Sequence, residues 1–272
     1  MFSPRIEWQR PGFCPKKLAM RVPIILFTHV ALRLFTASMT CMLPVAAFSL
    51  ELRDGVSAVV ELFTSQGCSP CPAADRLLSE LSTEDNVISL AYHVDYWDYA
   101  GWADTFALPA NGELQKAYAQ TWSTSRIYTP QMIINGEHGV VGSNAEEVQS
   151  ALAASRLVLP VSLEVPSQDV VVLKAEPHPE LSKAVVWLVT FRNWAEVEVE
   201  RGENIGRRLS YTNIVITRRP VGMWDPINGA DIQVPVSDAV DPDSDGFALI
   251  IQERNGHLPG RILGAAAVML EH

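Results

Sequence analysis

The sequence predicts a two-domain protein, with an α/β domain at residues 48–158 followed by an all-β, sandwich-like domain at residues 159–272. In the first region, β-prone runs alternate with helical patterns, which is typical of a sheet with parallel strands. In the second region, only short alternating runs occur, and Pro, Gly, Asn and Asp separate them. Repeated short strands with such breaks are typical of an antiparallel β-sandwich. Residues 1–47 precede both domains and have a different character.

The first 47 residues have the layout of a secretory signal. Lys16, Lys17 and Arg21 precede an apolar tract at 22–32, and a second apolar tract at 34–47 ends in small residues. A basic segment, an apolar segment and a small-residue exit are the three parts of a cleaved signal peptide. An uncleaved membrane anchor is the alternative, although the charge between the two tracts disfavours a membrane span. We therefore expect a periplasmic or secreted protein without a stable membrane span.

Removal of this segment changes which cysteines the protein keeps. Cys14 and Cys41 would be lost, and Cys68 and Cys71 would be the only cysteines left. Exported proteins meet an oxidising environment, so this pair can form a disulfide at rest. Since no other cysteine remains, any exchange of electrons must involve a second protein or a small thiol.

The charge balance restricts the classes of partner. Residues 1–47 contain six of the 21 Lys and Arg and one of the 31 Asp and Glu, which leaves a formal charge of −15 on the rest of the chain. An acidic protein is repelled by nucleic acid and by anionic membrane surfaces, so neither is expected as the main partner. We expect a soluble monomer.

The most informative stretch is Glu61–Pro72, which predicts a strand, a turn and the start of a helix. Apolar residues then recur at helical spacing, which assigns Asp75, Arg76 and Glu80 to the opposite, polar face. Cys68 and Cys71 open this helix, and their spacing brings two sulfurs within bonding range. Free backbone N–H groups at a helix N-terminus stabilise a thiolate, so the first cysteine is the expected nucleophile. The second is placed to resolve a mixed disulfide.

The Cys-x-x-Cys spacing has two other interpretations. Zinc sites use it, but they usually need a second such pair or added histidines, and no second pair follows. A purely structural disulfide is the other, although a bridge that closes so short a loop stabilises little through chain entropy.

The next strand, predicted at 86–94, leads into an aromatic loop at 93–102. This loop leaves the sheet at the same edge as Cys68, where functional loops of open α/β sheets lie. Its aromatic side chains either bind a partner or pack the loop onto the domain. The candidate substrate-binding residues are Tyr96, Trp97 and Trp102. Asp95 is the candidate acid/base, and His93 with Asp95 is either a metal-binding pair or, as is more common, a hydrogen-bonded pair.

A helix is predicted at 111–122, and it is followed by the stretch Ser125–Gly136. Pro130 heads an apolar strand, where a residue without an N–H group is tolerated. If the bond before it is cis, the backbone of Thr129 can turn towards the sulfurs and pair with a docked chain. A hairpin at Gly136 and a helix at 145–156, capped by Asn144, complete this region.

This order of elements resembles the thioredoxin fold over about residues 56–156. The phrases Glu61–Cys68, Cys71–Pro72, Tyr128–Gln131 and the tail around Gln252 and Ile262–Ala265 look like a family of secreted thioredoxin-like bacterial proteins of unknown function. The resemblance implies thiol–disulfide exchange, with Cys68 as attacking thiol, Cys71 as resolving thiol and Pro130 as the cis-proline. Gly67 departs from the pattern, because thioredoxins have Trp before the first cysteine.

The second region adds no nucleophile–base constellation. Its expected roles are substrate presentation, partner docking or cover for the edge of the first sheet. Asp241–Gly246 begins like a calcium loop, but the twelfth position is Gln252 rather than a bidentate Glu, which favours a solvated turn.

Three functions follow from the sequence, none of them with a cofactor. The first is an exported thiol–disulfide oxidoreductase that acts on partner proteins or small thiols. The second is a non-catalytic binding protein in which Cys68 and Cys71 form a static bridge. The third is a metal carrier that uses both thiolates.

Overall fold

The structure is a computed structural model that describes residues 49–271. The predicted signal segment at 1–47, with Cys14 and Cys41, lies outside the described residues. Residues 49–271 belong to a single compact unit. In this part of the chain, no helix combines the length and the apolar character needed to cross a bilayer.

The first half alternates strands and helices, as the sequence predicts. Its elements are β1 (Ser49–Arg53), β2 (Ala58–Thr64), α1 (Cys71–Leu81), β3 (Val87–His93), a 3₁₀ helix (Asp98–Ala100), α2 (Pro109–Thr121), β4 (Gln131–Ile134), β5 (His138–Val141) and α3 (Ala145–Ala154).

The second half consists almost entirely of strands. Its elements are β6 (Val161–Ser167), β7 (Val170–Ala175), β8 (Ala184–Glu198), β9 (Arg208–Trp224), β10 (Ala230–Pro235), the one-turn helix α4 (Val236–Ala239), β11 (Gly246–Asn255) and β12 (Leu258–Glu271). Strands β8 and β9 are longer than predicted, and together they form an extended antiparallel hairpin.

Local sequence explains where the helices start. Pro72 and Pro109 occupy the first turns of α1 and α2, where a missing N–H group costs nothing. Asn144 caps α3, since its side-chain oxygen accepts a hydrogen bond from the Glu147 N–H at 3.3 Å. Turns with positive φ, such as Asn135 and Gly136 in the β4–β5 hairpin, reverse the chain.

A nine-stranded mixed sheet organises the molecule, with strand order β1-β12-β11-β8-β9-β3-β2-β4-β5. β2 pairs with β3 in parallel, whereas β4 pairs antiparallel with both β2 and β5. β9 joins the two halves, because it pairs with β8 along its length and meets β3 at the Ala91–Ile214 pair. A second sheet has the order β10-β7-β6.

Three main apolar clusters fill the space between the layers. One lies between α1, α3 and one face of β2, β3 and β4, with Leu62, Leu78 and Met132 at its centre. Another lies on the opposite face and joins β2, β3 and α2 to β8, β11 and β12. The third packs the three-stranded sheet against β8, β11 and β12, with Trp224 and Phe247 fully buried.

A buried polar chain also ties the two halves together. Tyr118 of α2 donates to the Glu61 carboxylate of β2 at 2.5 Å. Gln252 of β11 donates to the Tyr118 hydroxyl at 2.7 Å and accepts from Arg218 of β9 at 2.7 Å. Burial raises the pKa of Glu61, and the Arg218 charge opposes this rise. Residues from β2, α2, β9 and β11 therefore share one hydrogen-bonded network.

The predicted fold class holds in its coarser form. The molecule is a β-rich α/β protein with a large open sheet, and two β-layers pack on each other in the second half. It differs from the prediction because β8, β9, β11 and β12 extend the first sheet instead of forming a separate one. Sequence patterns show which residues form strands, but they do not show which sheet a strand joins.

Candidate functional site

The two cysteines lie at the junction of β2 and α1. Their sulfur atoms are 1.94 Å apart in a disulfide, and their Cα atoms are 5.4 Å apart. The Cys68 N–H bonds to the Ser65 carbonyl at 3.1 Å, and the Cys71 N–H bonds to the Cys68 carbonyl at 3.2 Å. Cys71 is the first residue of α1, so Cys68 lies at the positive end of the helix, as predicted.

The disulfide is covered. Cys68 and Cys71 are both 0% exposed, although Ser69 and Pro70 between them are exposed. The disulfide is therefore shielded from solvent, and two neighbouring segments contact the turn that carries Cys68.

The aromatic loop forms one of these neighbours. Trp97 donates from Nε1 to the Thr129 hydroxyl at 2.6 Å. Its Cβ would lie 3.3 Å from a Cβ placed on Gly67, so only glycine fits without displacement. Tyr99 stacks on Trp97 with ring centroids 6.2 Å apart and is 84% exposed. The structure therefore places Trp97 against the turn before Cys68.

Tyr96 and Trp102, the other predicted substrate-binding residues, are half-buried and hydrogen-bonded. Tyr96 donates to Gln115 of α2 at 3.1 Å, and burial raises its pKa to about 12. Trp102 donates from Nε1 to the Gln66 side chain at 2.8 Å. Both side chains thus pack the loop onto the domain, and Trp102 holds the turn that carries Cys68.

Thr129 and Pro130 lie between two residues, Tyr128 and Gln131, that accept hydrogen bonds from Gln115 of α2. The Thr129–Pro130 peptide bond is cis. Pro130 is buried, and its carbonyl accepts a hydrogen bond from Gly142 N–H at 3.0 Å. Thr129 is half-buried, and its hydroxyl is occupied by Trp97.

Asp95 and His93 do not form the pair that the sequence suggests. The Oδ1 of Asp95 points towards the start of α2, 3.6 Å from a Cβ placed on Gly112. His93 is fully buried, and its Nδ1 lies 2.8 Å from Oδ2 of Asp104. β3 ends at His93, so Asp95 belongs to the following loop and does not share a strand face with His93, whereas the same loop brings Asp104 back to His93. Among the described residues, no group of three His, Cys, Asp or Glu side chains is arranged to hold a metal ion.

The helical pattern predicts that Asp75 lies on the polar face of α1, and this prediction is wrong. It is buried, as are Cys71, Ala74 and Leu78. The Thr64 hydroxyl donates to its Oδ1 at 2.8 Å, and Oδ2 has no hydrogen-bond partner among the described residues. Cys71 and Asp75 are four residues apart, so they share one face of the helix. The buried carboxyl therefore lies one turn below the second cysteine.

Burial raises the pKa of Asp75 to about 7. The His93 ring, the Thr64 hydroxyl and the Arg76 charge oppose this rise, and the Asp104 charge adds to it. For Asp104 itself, burial also acts to raise the pKa. His93 and the backbone N–H groups of Gln66 and Phe106 outweigh burial and lower it. The two carboxyls differ because Asp104 has several donors and Asp75 has one.

The second half of the chain contributes two residues that sequence reasoning missed. Tyr211 of β9 lies against His93, with ring centroids 4.7 Å apart, and its hydroxyl is buried without a hydrogen-bond partner in the described part. Asn204, in the tip of the β8–β9 hairpin, donates to the carbonyls of Gln66 at 2.9 Å and Cys68 at 3.0 Å. No sequence signal identifies either residue, because both contacts depend on how β9 joins the sheet.

The Asp241–Gly246 segment forms a turn whose polar groups bind the protein itself. The Ser244 N–H bonds to the Asp241 carbonyl at 2.9 Å, and the Asp241 side chain accepts from Thr190 at 3.1 Å. Asp245 accepts from the Asn193 N–H at 2.9 Å. The segment is therefore a turn, as predicted, but part of it is buried against the protein rather than solvated.

Comparison with known proteins places this site in a family. The model of the family described as "Protein of unknown function (DUF1223)" matches residues 59–252, which include both cysteines and Asn204. No curated protein matches the chain.

Two solved structures are similar. A crystal structure of a protein from Agrobacterium tumefaciens is 33% identical, with a TM-score of 0.69 over 79% of this chain and 97% of its own. HBP35 of Porphyromonas gingivalis is 12% identical, with a TM-score of 0.52 over 78% of this chain and 74% of its own, and this likeness concerns the fold alone.

Proposed function

This chain belongs to the DUF1223 family of proteins of unknown function, and we propose that it carries out thiol–disulfide exchange through Cys68 and Cys71. The observation that carries the proposal is the position of the pair, with its disulfide at the N-terminus of α1. Backbone N–H groups and the helix dipole at this position favour a Cys68 thiolate once the pair is reduced.

The proposal includes a thioredoxin-like unit at the start of the chain. Strands β3, β2, β4 and β5 are neighbours in this order, and the β2–α1–β3 segment is a parallel crossover. Helices α1, α2 and α3 follow β2, β3 and β5. This arrangement supports the resemblance over about residues 56–156, while the strands of the second half extend it.

The exchange step transfers two electrons between the protein and a partner. In the reduced protein, the Cys68 thiolate attacks a partner disulfide, forms a mixed disulfide and releases one partner thiolate. Cys71 then loses its proton and attacks the Cys68 sulfur, which restores the intramolecular disulfide and releases the second partner thiolate. The two released thiolates take up protons, so the partner is reduced as the protein is oxidised. The reverse sequence oxidises a partner dithiol.

Asp75 is better placed than Asp95 to accept the Cys71 proton. Its carboxyl is buried one helical turn from Cys71, and its Oδ2 has no hydrogen-bond partner among the described residues. A pKa of about 7, raised by burial, lets this group both accept and release a proton near neutral pH. Asp95 instead faces α2.

The proposed binding site for the partner is bordered by four residues: Thr129, Tyr96, Trp97 and Trp102. Trp97 links the aromatic loop to Thr129, and Tyr99 extends this aromatic surface into solvent. Aromatic side chains of this kind supply contact area for an extended peptide. The proposed partner is a protein or small molecule with a thiol or a disulfide.

A static disulfide in a binding protein is the second candidate, and one observation favours it. Both cysteines are 0% exposed, and a buried disulfide is protected from attack. This candidate predicts that replacing both cysteines by serine preserves the function, whereas the exchange proposal predicts its loss.

Export is part of the proposal, because a disulfide persists at rest in an oxidising compartment. It is supported by the pattern of residues 1–47. A fusion of alkaline phosphatase to the C-terminus of the full chain should be active in a bacterial host. The same fusion without residues 1–47 should be inactive, and equal activity of the two would contradict export.

Two cysteine variants test the exchange proposal. With a fluorescent glutathione disulfide as substrate, Cys68→Ser should abolish exchange. Cys71→Ser should accumulate a mixed disulfide at Cys68, visible by intact mass, because no resolving thiol remains. If Cys68→Ser retains the exchange rate of the unchanged protein, Cys68 is not the nucleophile and the proposal fails.

A further inference from the structure

The tip of the β8–β9 hairpin, residues 199–207, reaches from the second half of the chain to the disulfide. Most of the tip is exposed, but Asn204 is fully buried between exposed Glu203 and Ile205. A buried amide in an exposed turn needs hydrogen-bond partners, and Asn204 finds them in the turn that carries Cys68.

The side-chain amide of Asn204 uses both of its donors and one acceptor site. Its Nδ2 donates to the carbonyls of Gln66 at 2.9 Å and Cys68 at 3.0 Å. Its Oδ1 accepts from the Arg207 guanidinium at 3.0 Å. One side chain therefore binds the backbone on both sides of Gly67. Its release would remove a donor from the Gln66 carbonyl and leave the Cys68 carbonyl with only the Cys71 N–H.

Two glycines flank Asn204 and shape the tip. Gly202 has φ of 81° and Gly206 has φ of 77°, so both adopt the left-handed conformation. Gly202 also lies against the aromatic loop, because its Cβ would be 3.2 Å from the Trp102 Cβ and 3.3 Å from the Ala100 carbonyl. Gly206 has no neighbour within 4 Å of its Cβ position. Gly202 is therefore needed for close contact with the aromatic loop, whereas Gly206 is not.

We propose that the hairpin tip is a cover that determines which thiols reach the disulfide, and that Asn204 holds it closed. Thiol–disulfide exchange requires direct attack on a sulfur atom, and neither cysteine is exposed while the tip is in place. The tip and the aromatic loop meet at Gly202 and Trp102, and the tip also binds the turn that carries Cys68 through Asn204. Ile205, which is 64% exposed on the tip, is available to a protein partner that lifts the cover.

This inference rests on the proposed exchange function, but it is tested without a physiological partner. Dithiothreitol is a small thiol that reduces an accessible disulfide. One thiolate of dithiothreitol attacks Cys68, Cys71 leaves and takes a proton, and the second dithiothreitol thiol closes the cyclic disulfide and releases Cys68. The protein gains two electrons and two protons, and dithiothreitol loses them. The rate is followed by alkylation and mass at fixed pH.

We expect Asn204→Ala to increase the second-order rate constant of reduction by about tenfold or more, because the tip opens more often. Glu203→Ala, its exposed neighbour, is the control and should change the rate less than twofold. Gly202→Ala should also increase the rate, since its Cβ meets Trp102. Gly206→Ala carries the same backbone penalty without that contact, so it should have a smaller effect.

Two results would overturn the cover. One is an unchanged reduction rate in both Asn204→Ala and Gly202→Ala. The other is that the controls Glu203→Ala and Gly206→Ala increase the rate as much as those two variants do. Folding of each variant is checked by near-ultraviolet circular dichroism, and the glycine pair gives the answer if Asn204→Ala does not fold. The exchange function has a separate test, the redox midpoint of the Cys68–Cys71 pair. If the reduction rates do not change in the variants but the midpoint lies in the range of exchange proteins, only the cover is contradicted. A disulfide that resists reduction in every variant contradicts both.

Discussion

Asp75 is the residue whose behaviour depends most on its surroundings. It lies on the buried face of α1, and its carboxyl has one hydrogen-bond donor, Thr64. Burial raises its pKa to about 7, whereas an unfolded chain has the ordinary value near 4. The folded protein therefore binds more protons than the unfolded chain between these two values.

This difference predicts the effect of pH on stability. Since the folded state holds the extra proton, the contribution of Asp75 to stability is full below about pH 4 and is lost as pH rises to about 7. Asp75→Asn removes the titration and keeps an oxygen for Thr64. We expect this variant to be more stable than the unchanged protein at pH 8, by about 2–4 kcal/mol, with a much smaller difference at pH 4.

Urea unfolding at the two pH values measures this effect. Glu80→Gln changes an exposed acid on the same helix and should leave the pH dependence unaltered. If Asp75→Asn and the unchanged protein are equally stable at pH 8, ionisation of the Asp75 carboxyl does not destabilise the folded state, and the prediction is wrong.

At this scale, the sequence predicts the cysteines but not the groups around them. The Cys-x-x-Cys spacing and the strand-to-helix context identify Cys68 and Cys71 because both signals are local. Asp75 escapes such reasoning, since a charged residue is normally assigned to the solvent face of a helix. Asp104 and Asn204 escape it because their partners, His93 and the Gln66 and Cys68 carbonyls, are brought near by the fold.

The aromatic loop at 93–102 is the element that links the two sides of the site. The loop rests on hydrogen bonds from three of its aromatic side chains, to Gln115, Thr129 and Gln66. Its sequence left two roles open, and these bonds support packing onto the domain for Tyr96 and Trp102. Tyr99 remains exposed, so the loop also presents an aromatic surface.

Trp97→Phe tests how firmly the loop is held. Phe keeps an aromatic ring against Tyr99 but removes the Nε1 donor to Thr129. Because this leaves one half-buried hydroxyl without its donor, the free energy of unfolding should fall by about 1 kcal/mol. Tyr99→Phe is the matched control at an exposed site and should change stability by less than about 0.5 kcal/mol. Equal losses in urea unfolding would mean that the bond to Thr129 contributes nothing.

Apart from β1, the helices and strands of the first half could be predicted closely, because each has a strong local pattern. The β8–β9 hairpin could not, because its length and its pairing with β3 depend on contacts far apart in sequence. Sequence patterns separated β8 into two runs, whereas the structure continues it through residue Glu198. A hairpin of this length is what carries Asn204 to the disulfide.

The nine-stranded sheet contains strands from both halves of the described chain and so joins them. β9 meets β3, and the cluster around Phe63 and Tyr118 includes Val189, Phe191 and Ile250 from the second half. The Glu61–Tyr118–Gln252 hydrogen bonds cross the same boundary. A boundary near residue 158 therefore runs through a shared core.

This shared core predicts that the halves do not fold independently. Residues 48–272 should unfold in one cooperative transition in urea, with coincident fluorescence and circular dichroism curves. Residues 48–158 alone should lack a near-ultraviolet signal, because the face that packs on β8, β11 and β12 would be exposed to water. A cooperative transition in that fragment would contradict the shared core and support two domains.

The central claim is that Cys68 and Cys71 exchange electrons with a partner. Its most direct test is a redox titration of residues 48–272 against glutathione, with the pair followed by alkylation and mass. Exchange proteins have midpoints between about −120 and −270 mV, and we predict a midpoint in this range. A pair that remains oxidised far below about −300 mV would contradict the claim, because structural disulfides resist reduction at such potentials.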